Sequence, residues 1–254
     1  MLILVTNDDG IDSAGLHALE AVAASLGEAW TVAPATEQSA RSHALTMHEP
    51  LRVHTHGPRR FAVTGTPADC SYLALHHLLP RKPDLVLSGI NRGSNLGNDV
   101  VYSGTVAAAR EAASAGVPAL AASLWIRGDA PRWDTAQQVV RTVAERILRH
   151  GLPERILLNL NVPDVAPEVL KGVRIASLGR RFYTASVEEK LDPRGRRYYW
   201  IGGDHERFEG PDDTDGPLCE DGWAVLTPLQ MDLTAHGLLQ ELRTWNLEGP
   251  CSTN

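Results

Sequence analysis

The stretch that most limits the fold is Leu2 to Gly10, Leu-Ile-Leu-Val-Thr-Asn-Asp-Asp-Gly, where an unbroken apolar run passes directly into two adjacent carboxylates and a glycine. A short continuous run of leucine and β-branched residues is the pattern of a strand covered on both faces, as in the middle of a parallel sheet. Asp8 and Asp9 then stand at its carboxyl end, the edge of an open α/β sheet beyond which ligand crevices lie. Successive strand residues point to opposite faces, so both acids can serve one cation only if the chain turns here, and Gly10 permits the turn. Adjacent carboxylates repel and hold their protons unless a cation or strong donors offset the charge, and a divalent metal does so most directly. The plainer alternative, Asp8 capping a turn beside a solvated Asp9, fits an Asp-Gly turn dipeptide equally.

A chain of 254 residues is long enough for one large α/β domain with an appendage. Its hydrophobic share of 43% and charged share of 22% exclude long disorder, and a net charge of -7 disfavours a nucleic-acid polymer as partner. Small anions stay compatible with that charge where a metal or a helix end receives them. Cys70, Cys219 and Cys251 are far apart and form no Cys-x-x-Cys pair, so neither a disulfide framework nor a zinc knuckle is expected and a reducing cytoplasm fits. The first apolar run has no basic lead and is too short for a signal segment or a membrane span, so no membrane partner is expected.

Along the chain, Ser13 to Leu26 carries apolar residues at helical spacing, with Ser13 or Asp12 as cap and Gly27 as stop. Trp30 to Ala33 is the next strand, and a polar loop follows it to His43. Leu51 to Thr55 and Phe61 to Thr64 flank a turn and predict a hairpin. In Gly65-Thr66-Pro67-Ala68-Asp69, Thr66 is placed to cap a helix, Pro67 to occupy its first position and Asp69 to close a capping box. His76 and His77 fall near that helix's end, where the dipole favours them structurally.

Pro83 to Ser88 is another buried-type strand, and Gly89 to Asp99 then Tyr102-Ser103-Gly104-Thr105 form a glycine- and asparagine-rich loop whose backbone can approach a ligand closely. The alanine-rich helix Thr105 to Ala115 begins there, so free N–H groups and hydroxyls make a phosphate-type anion site. Ala119 to Leu124 and Ile156 to Asn161 read as strands around the amphipathic helix Thr135 to His150. This alternation predicts a doubly wound parallel core.

From about Val173 the texture changes. Phe182 to Lys190 and Arg196 to Ile201 flank Asp192-Pro193-Arg194-Gly195 and predict a long protruding β-hairpin. Asp212-Asp213-Thr214-Asp215 lacks the spacing of a calcium loop and reads as a solvated turn. Trp223 to Pro228 is a strand, and Leu238 to Trp245 a terminal helix with an apolar face that needs a partner.

The chain resembles the SurE family, survival proteins that act as metal-dependent nucleotide phosphatases. The matching stretches are Thr6-Asn7-Asp8-Asp9-Gly10, Gln38-Ser39 with Leu45-Thr46, Gly65 to Cys70, Ser88-Gly89-Ile90-Asn91 through Gly97, Tyr102 to Val106, and Thr227-Pro228-Leu229 with Asp232-Leu233-Thr234. They run in the family's order over nearly the full length. The resemblance implies a single Rossmann-like α/β domain over residues 1–254, with a core over 1–172 and a hairpin and carboxyl-terminal exchange segment over 173–254. It implies metal ligands at Asp8, Asp9, Ser39 and Asn91, all oxygen donors suited to one Mg²⁺ or Mn²⁺ per subunit and not to zinc. It also implies phosphate contacts from Asn95, Ser103, Gly104 and Thr105, and a homodimer or homotetramer in which the hairpin and terminal segment cross between subunits. Two departures concern loop geometry: Asp12-Ser13-Ala14 where the family shows a residue and Ala-Pro, and Ala40 where glycine is usual.

The reaction expected from these residues is hydrolysis of nucleoside monophosphates and other small phosphomonoesters, with Asp8 and Asp9 catalytic and Asp8 the acceptor of the water's proton. A covalent aspartyl route, as in haloacid-dehalogenase-like phosphatases, fits less well because those carry Asp-x-Asp. A receiver-like regulatory domain needs a phosphoacceptor aspartate where this chain has Asn91. A nucleotide-binding sensor without turnover is the remaining alternative.

Overall fold

Apolar continuity at the start of the chain does produce a strand covered on both faces, for all five residues of β1 (Leu2–Thr6) are buried. The computed structural model describes residues 1–128, 130–183, 186–202, 206–245 and 247. After β1 come α1 (Ala14–Leu26), β2 (Glu28–Pro34), β3 (Val53–Gly57), β4 (Arg60–Val63), α2 (Pro67–Leu73), β5 (Leu85–Arg92), α3 (Gly104–Ser114), β6 (Ala119–Trp125), α4 (Trp133–His150) and β7 (Ile156–Pro163). The remainder comprises β8 (Val173–Ile175), β9 (Arg180–Tyr183), β10 (Ser186–Leu191), β11 (Arg197–Gly202), β12 (Glu206–Glu209), α5 (Asp215–Glu220), β13 (Ala224–Gln230) and α6 (His236–Arg243).

A nine-stranded sheet runs in the order β3-β4-β2-β1-β5-β6-β7-β13-β8. From β4 to β7 every neighbour is parallel, while β3 and β13 are antiparallel to β4 and β7. The winding therefore reverses between β1 and β5, and a ligand crevice opens beyond the carboxyl ends of strands at such a reversal. Strand alternation sorts the core: Ile3 and Val5 pack with Leu16, Leu19, Val140 and Ile147 of α1 and α4, whereas Leu4 packs with Cys70, Val106 and Ala109 of α2 and α3. The fold is thus the doubly wound α/β sheet that the sequence predicts.

Local chemistry sets the helix starts. Ser13 Oγ accepts from Leu16 N at 3.4 Å, and Ser103 Oγ from Val106 N at 3.1 Å. Thr66 and Asp69 close a reciprocal capping box, with bonds of 3.1 and 2.9 Å between each side chain and the other's backbone N–H. The hairpin between residues 53 and 63 forms as β3 and β4.

Three features differ from the sequence reading. The strand after Pro83 continues through Gly89 and Asn91 to Arg92, with an irregularity in its pairing between Ser88 and Asn91. Gly89 makes this possible: at φ +131°, a Cβ there would sit 2.2 Å from the carbonyl oxygen of Ala122 on β6. The protruding hairpin is narrower than expected, because only β10 and β11 build it, while β9 turns aside to pair with β12.

The acid-rich turn is solvated only in part. Asp215 is fully buried and its carboxylate accepts from the backbone N–H groups of Gly97 and Gly179 at 2.7 Å and Gly216 at 2.8 Å. Gly97 and Gly179 lie far away in sequence, so the turn's own composition carries no trace of them.

Cys70 and Cys219 are buried free thiols, and Cys251 lies outside the described residues. Among the described residues no helix is long and apolar enough to cross a membrane. The terminal helix α6 buries none of its residues, leaving Leu238 and Leu239 exposed.

Because one carboxylate satisfies three buried N–H groups on separate segments, Asp215→Ala is expected to lower stability by about 3 kcal/mol in chemical denaturation. Asp213→Ala, at an exposed position of the same turn, should stay within about 0.5 kcal/mol of wild type.

Candidate active site

Four segments meet beyond the carboxyl ends of β1, β2 and β5. The turn after β1 is held by Asn7, whose Nδ2 donates to Gly10 O at 2.9 Å and to Ser13 Oγ at 2.7 Å. The loop after β2 is drawn against that turn by Gln38 N, which donates to Asp8 O at 2.7 Å. Ser42 N and Oγ then bond the carbonyls of Tyr102 and Val101, so the loop carrying Ser39 is clamped to the segment that enters α3.

A cleft of about 370 Å³ results, lined by Asp8, Ser39, Asn91, Asn95 and Ser103 among others. Three of the four expected metal ligands thus share one opening with two of the four expected phosphate contacts. The fourth ligand, Asp9, stands beside it: its Oδ2 accepts from Arg92 N at 3.1 Å, next to Asn91 in the chain. Asn91 Nδ2 donates to Gly93 O at 2.8 Å, a bond that occupies the amide nitrogen and leaves the oxygen as the atom to offer a cation. Ser39 Oγ donates to Glu37 Oε1 at 2.8 Å, so its lone pairs face other partners.

The start of α3 lies directly behind Asp8. Thr105 Oγ1 donates to Asp8 Oδ1 at 2.5 Å, and Thr105 is fully buried. Its hydroxyl, expected on the phosphate, is therefore committed to orienting Asp8. Gly104 is where the helix presses on that carboxylate: a Cβ there would meet Asp8 Cβ at 2.8 Å and Oδ2 at 3.0 Å, so any other residue displaces Asp8. Ser103 lines the cleft, and its Oγ, already an acceptor as helix cap, keeps its proton to donate.

Asn95 reaches the cleft but is held from behind. Its N–H donates to Asn161 Oδ1 at 2.8 Å, its carbonyl accepts from Asn159 Nδ2 and Asn161 Nδ2 at 2.9 and 3.0 Å, and its own Nδ2 donates to Ser123 Oγ at 2.7 Å. Asn159 and Asn161 had entered the sequence reading only as the end of a strand. Residues that sequence reasoning missed outright are Ser94, Asp99 and Tyr183, which also line the cleft, with Arg181 behind them.

Burial governs the electrostatics of the paired acids. Asp8 is only 4% exposed, and burial pushes its carboxyl from the usual 3.8 up to about 6. The Thr105 hydroxyl pulls in the opposite direction and the neighbouring charge of Asp9 adds to the rise. Asp9 is raised too, again chiefly by burial, with the Arg92 N–H opposing it. No cationic side chain stands among the influences on Asp8. A buried carboxylate and a half-buried one beside a hydroxyl and an amide oxygen form a donor set of oxygen alone, which fits Mg²⁺ or Mn²⁺. Among the described residues no group of three His, Cys, Asp or Glu side chains offers a softer alternative.

The model of the family described as survival protein SurE matches residues 3–185. The 5'-nucleotidase SurE of Chloroflexus aggregans is 49% identical over 254 residues, covering 98% of this chain and 100% of the relative. That of Geotalea uraniireducens is 46% identical over 247 residues, covering 97% and 100%. The crystal structure of the SurE protein from Aquifex aeolicus superposes with a TM-score of 0.86 at 36% identity, covering 97% of this chain and 100% of that one.

Two expectations arise from the geometry. The raised carboxyl of Asp8 means that the folded, metal-free protein binds a proton more tightly than the unfolded chain does. Its ionisation therefore opposes folding above pH about 6, and the penalty fades as pH falls toward 3.8. Asp8→Asn should stabilise the chelator-treated protein by about 3 kcal/mol near pH 7.5 and by almost nothing near pH 4, read by denaturation across pH. A gain constant over that range would trace to something other than the carboxyl. The second concerns Ala40, which sits at φ 58°, in the left-handed region where a Cβ is strained. Ala40→Gly is expected to relieve about 1 kcal/mol of that strain, less what the freer unfolded chain takes back, and thermal melting should not fall.

Proposed function

This chain belongs to the SurE family and is a 5'-nucleotidase; from that premise we propose that it is a metal-dependent phosphomonoesterase acting on nucleoside monophosphates and, with broad specificity, on other small phosphomonoesters. The observation that supports this reading best is the convergence of Asp8, Ser39 and Asn91 with Ser103 on a single cleft at the reversal of the sheet.

One Mg²⁺ or Mn²⁺ per subunit, held by Asp8, Asp9, Ser39 and Asn91, would supply a Lewis acid for the phosphoryl oxygens and lower the pKa of water. The chain's own groups do the rest. Ser103 Oγ donates to a phosphoryl oxygen, and the N-terminal end of α3 at Gly104 presents backbone N–H dipoles to the charge that grows as the ester bond breaks. Asn95, which lines the same cleft, contributes a further contact, steadied by Asn159 and Asn161. Asp8, fixed by Thr105, accepts the proton of the attacking water, since it is the carboxylate that both lines the cleft and is oriented by a dedicated donor. The alcohol leaves with a proton from solvent at the open side.

The same reading makes the protein a cytoplasmic homodimer or homotetramer. Supporting this are the apolar residues left exposed on α6 and on the hairpin, Trp200 at 61% and Ile201 at 92%, which need cover.

Phosphate release from AMP in the presence of Mn²⁺ tests the function. Exhaustive EDTA treatment should abolish it, restored divalent metal should recover it, and Asp9→Ala should lower kcat on the order of 100-fold or more. Full turnover after metal stripping would overturn the reading, and AMP binding without any release would identify a sensor instead. Asp8→Asn retaining full turnover would remove Asp8 from the proton-accepting role alone.

A further inference from the structure

Part of the cleft is built from residues that the phosphatase mechanism does not use: Asp99 and Tyr183 line it together with Asp8, Asn91 and Ser103. An acid in a site for an anionic substrate is unfavourable unless neutralised, and Asp99 is neutralised: Arg181 Nη1 lies 2.8 Å from its Oδ2, and the Tyr183 hydroxyl donates to the same oxygen. Arg181 is only 8% exposed, and its Nη1 also donates to Ser94 Oγ at 3.0 Å, which binds the cluster to the loop after β5.

Arg181 and Tyr183 are two apart on β9 and so project from one face of the strand. The guanidinium carbon stands 5.1 Å from the Tyr183 ring centroid, within cation–π range. The ring is thereby pinned at its hydroxyl by Asp99 and backed by a buried cation, while the residue keeps 45% of its surface exposed at the cleft. A flat aromatic surface held rigidly beside a phosphate cradle loses little entropy on stacking. The cation behind it draws electron density from the ring, which favours contact with a second π-system.

We propose that Tyr183, locked by Asp99 and Arg181, is the nucleobase shelf of this enzyme and the residue that makes it prefer nucleotides over phosphomonoesters without a base. This rests on the phosphatase reading above and deepens it. Stacking does not read hydrogen-bonding edges, so the shelf accepts purines and pyrimidines alike and favours the larger purine surface. The Asp99–Arg181 pair is a positioning pair: it fixes the ring and touches neither phosphate nor reacting water.

The test compares AMP with ribose 5-phosphate, which presents the same ester and sugar but no base. Wild type, Tyr183→Phe, Tyr183→Leu and Tyr183→Ala are assayed for turnover and, by calorimetry with Mn²⁺ present, for binding of both compounds. Tyr183→Ala and Tyr183→Leu are expected to lower the ratio of kcat/KM for AMP to that for ribose 5-phosphate about tenfold, through KM and not kcat. Tyr183→Phe, which keeps the ring and loses the lock, should lower it by about threefold at most. An unchanged ratio in the alanine and leucine variants, or an equal loss on both compounds, overturns the shelf. If wild type turns over neither compound, the phosphatase reading fails by itself. Selective loss of AMP binding in Tyr183→Ala and Tyr183→Leu would then still support the shelf, and AMP binding equal to wild type would overturn it.

Discussion

A carboxylate buried against a helix start, with one hydroxyl for company and a second carboxylate beside it, is the constraint around which this structure is arranged. Asp8 is nearly inaccessible and holds its proton up to about pH 6 in the protein alone. Such an arrangement is a net cost to folding, and proteins keep one only where something else is gained. Here the cost lies at the point where the sheet reverses its winding, and there the strand ends diverge to leave space for a ligand. On the metal-dependent reading, the stability lost on forming the site would be recovered when a hard cation enters it.

Holding several loops around that point takes a polar scaffold. Asn7 ties the turn after β1 to the cap of α1, Gln38 brings the Ser39 loop to Asp8, and Asn159 with Asn161 fixes Asn95 from β7. Asp215 extends the scaffold outward by joining the loop at Gly97 to the segment at Gly179 that leads into β9. Through this joint the wall that carries Tyr183 is rigidly coupled to the loop that carries Asn91 and Asn95. The Gly97 position shows how close the coupling is, since a Cβ there would lie 2.9 Å from Gly179 O.

Those parts of the molecule that are fixed by local pattern were legible in the sequence. The run Leu2–Thr6, the capping box of Thr66 and Asp69, and the helix start after Ser103 each announce themselves within a few residues, and the structure places them as read. The adjacent carboxylates at the end of β1 were legible for the same reason, whereas the Ser103 hydroxyl as cap of α3 was not. What the sequence hid are pairings across long separations. Asp215 looked solvated because its distant partners are Gly97 and Gly179, and Asp99 had no visible role because its partners are equally remote, Tyr183 within the expected hairpin arm and Arg181 just before it. Thr105 was read as a phosphate contact from its place at a helix start, and only the approach of β1 to α3 shows its hydroxyl on Asp8. The effect of Ala40 likewise depended on the sign of one dihedral angle.

The charge balance of the cleft resolves an apparent conflict. The chain carries a net charge of -7, yet its substrate is an anion, and the cleft itself contributes Asp8, Asp9 and Asp99. Long-range attraction therefore contributes nothing to capture, and binding depends on short-range terms that solvent screens poorly inside a cleft. Asp99 is cancelled by Arg181 at 2.8 Å, whereas the two acids after β1 have Glu37 beside them and the Arg92 guanidinium as partial offset for Asp9, and these two acids are the groups that a dication would neutralise. A dication held there would cancel the charge of Asp8 and Asp9, while the chain's net charge outside the cleft stays negative. On the metal-dependent reading proposed above, phosphate affinity would be conditional on metal, and the order would follow from electrostatics: the cation meets two carboxylates raised by burial, whereas the phosphate gains a favourable site only once the cation has entered.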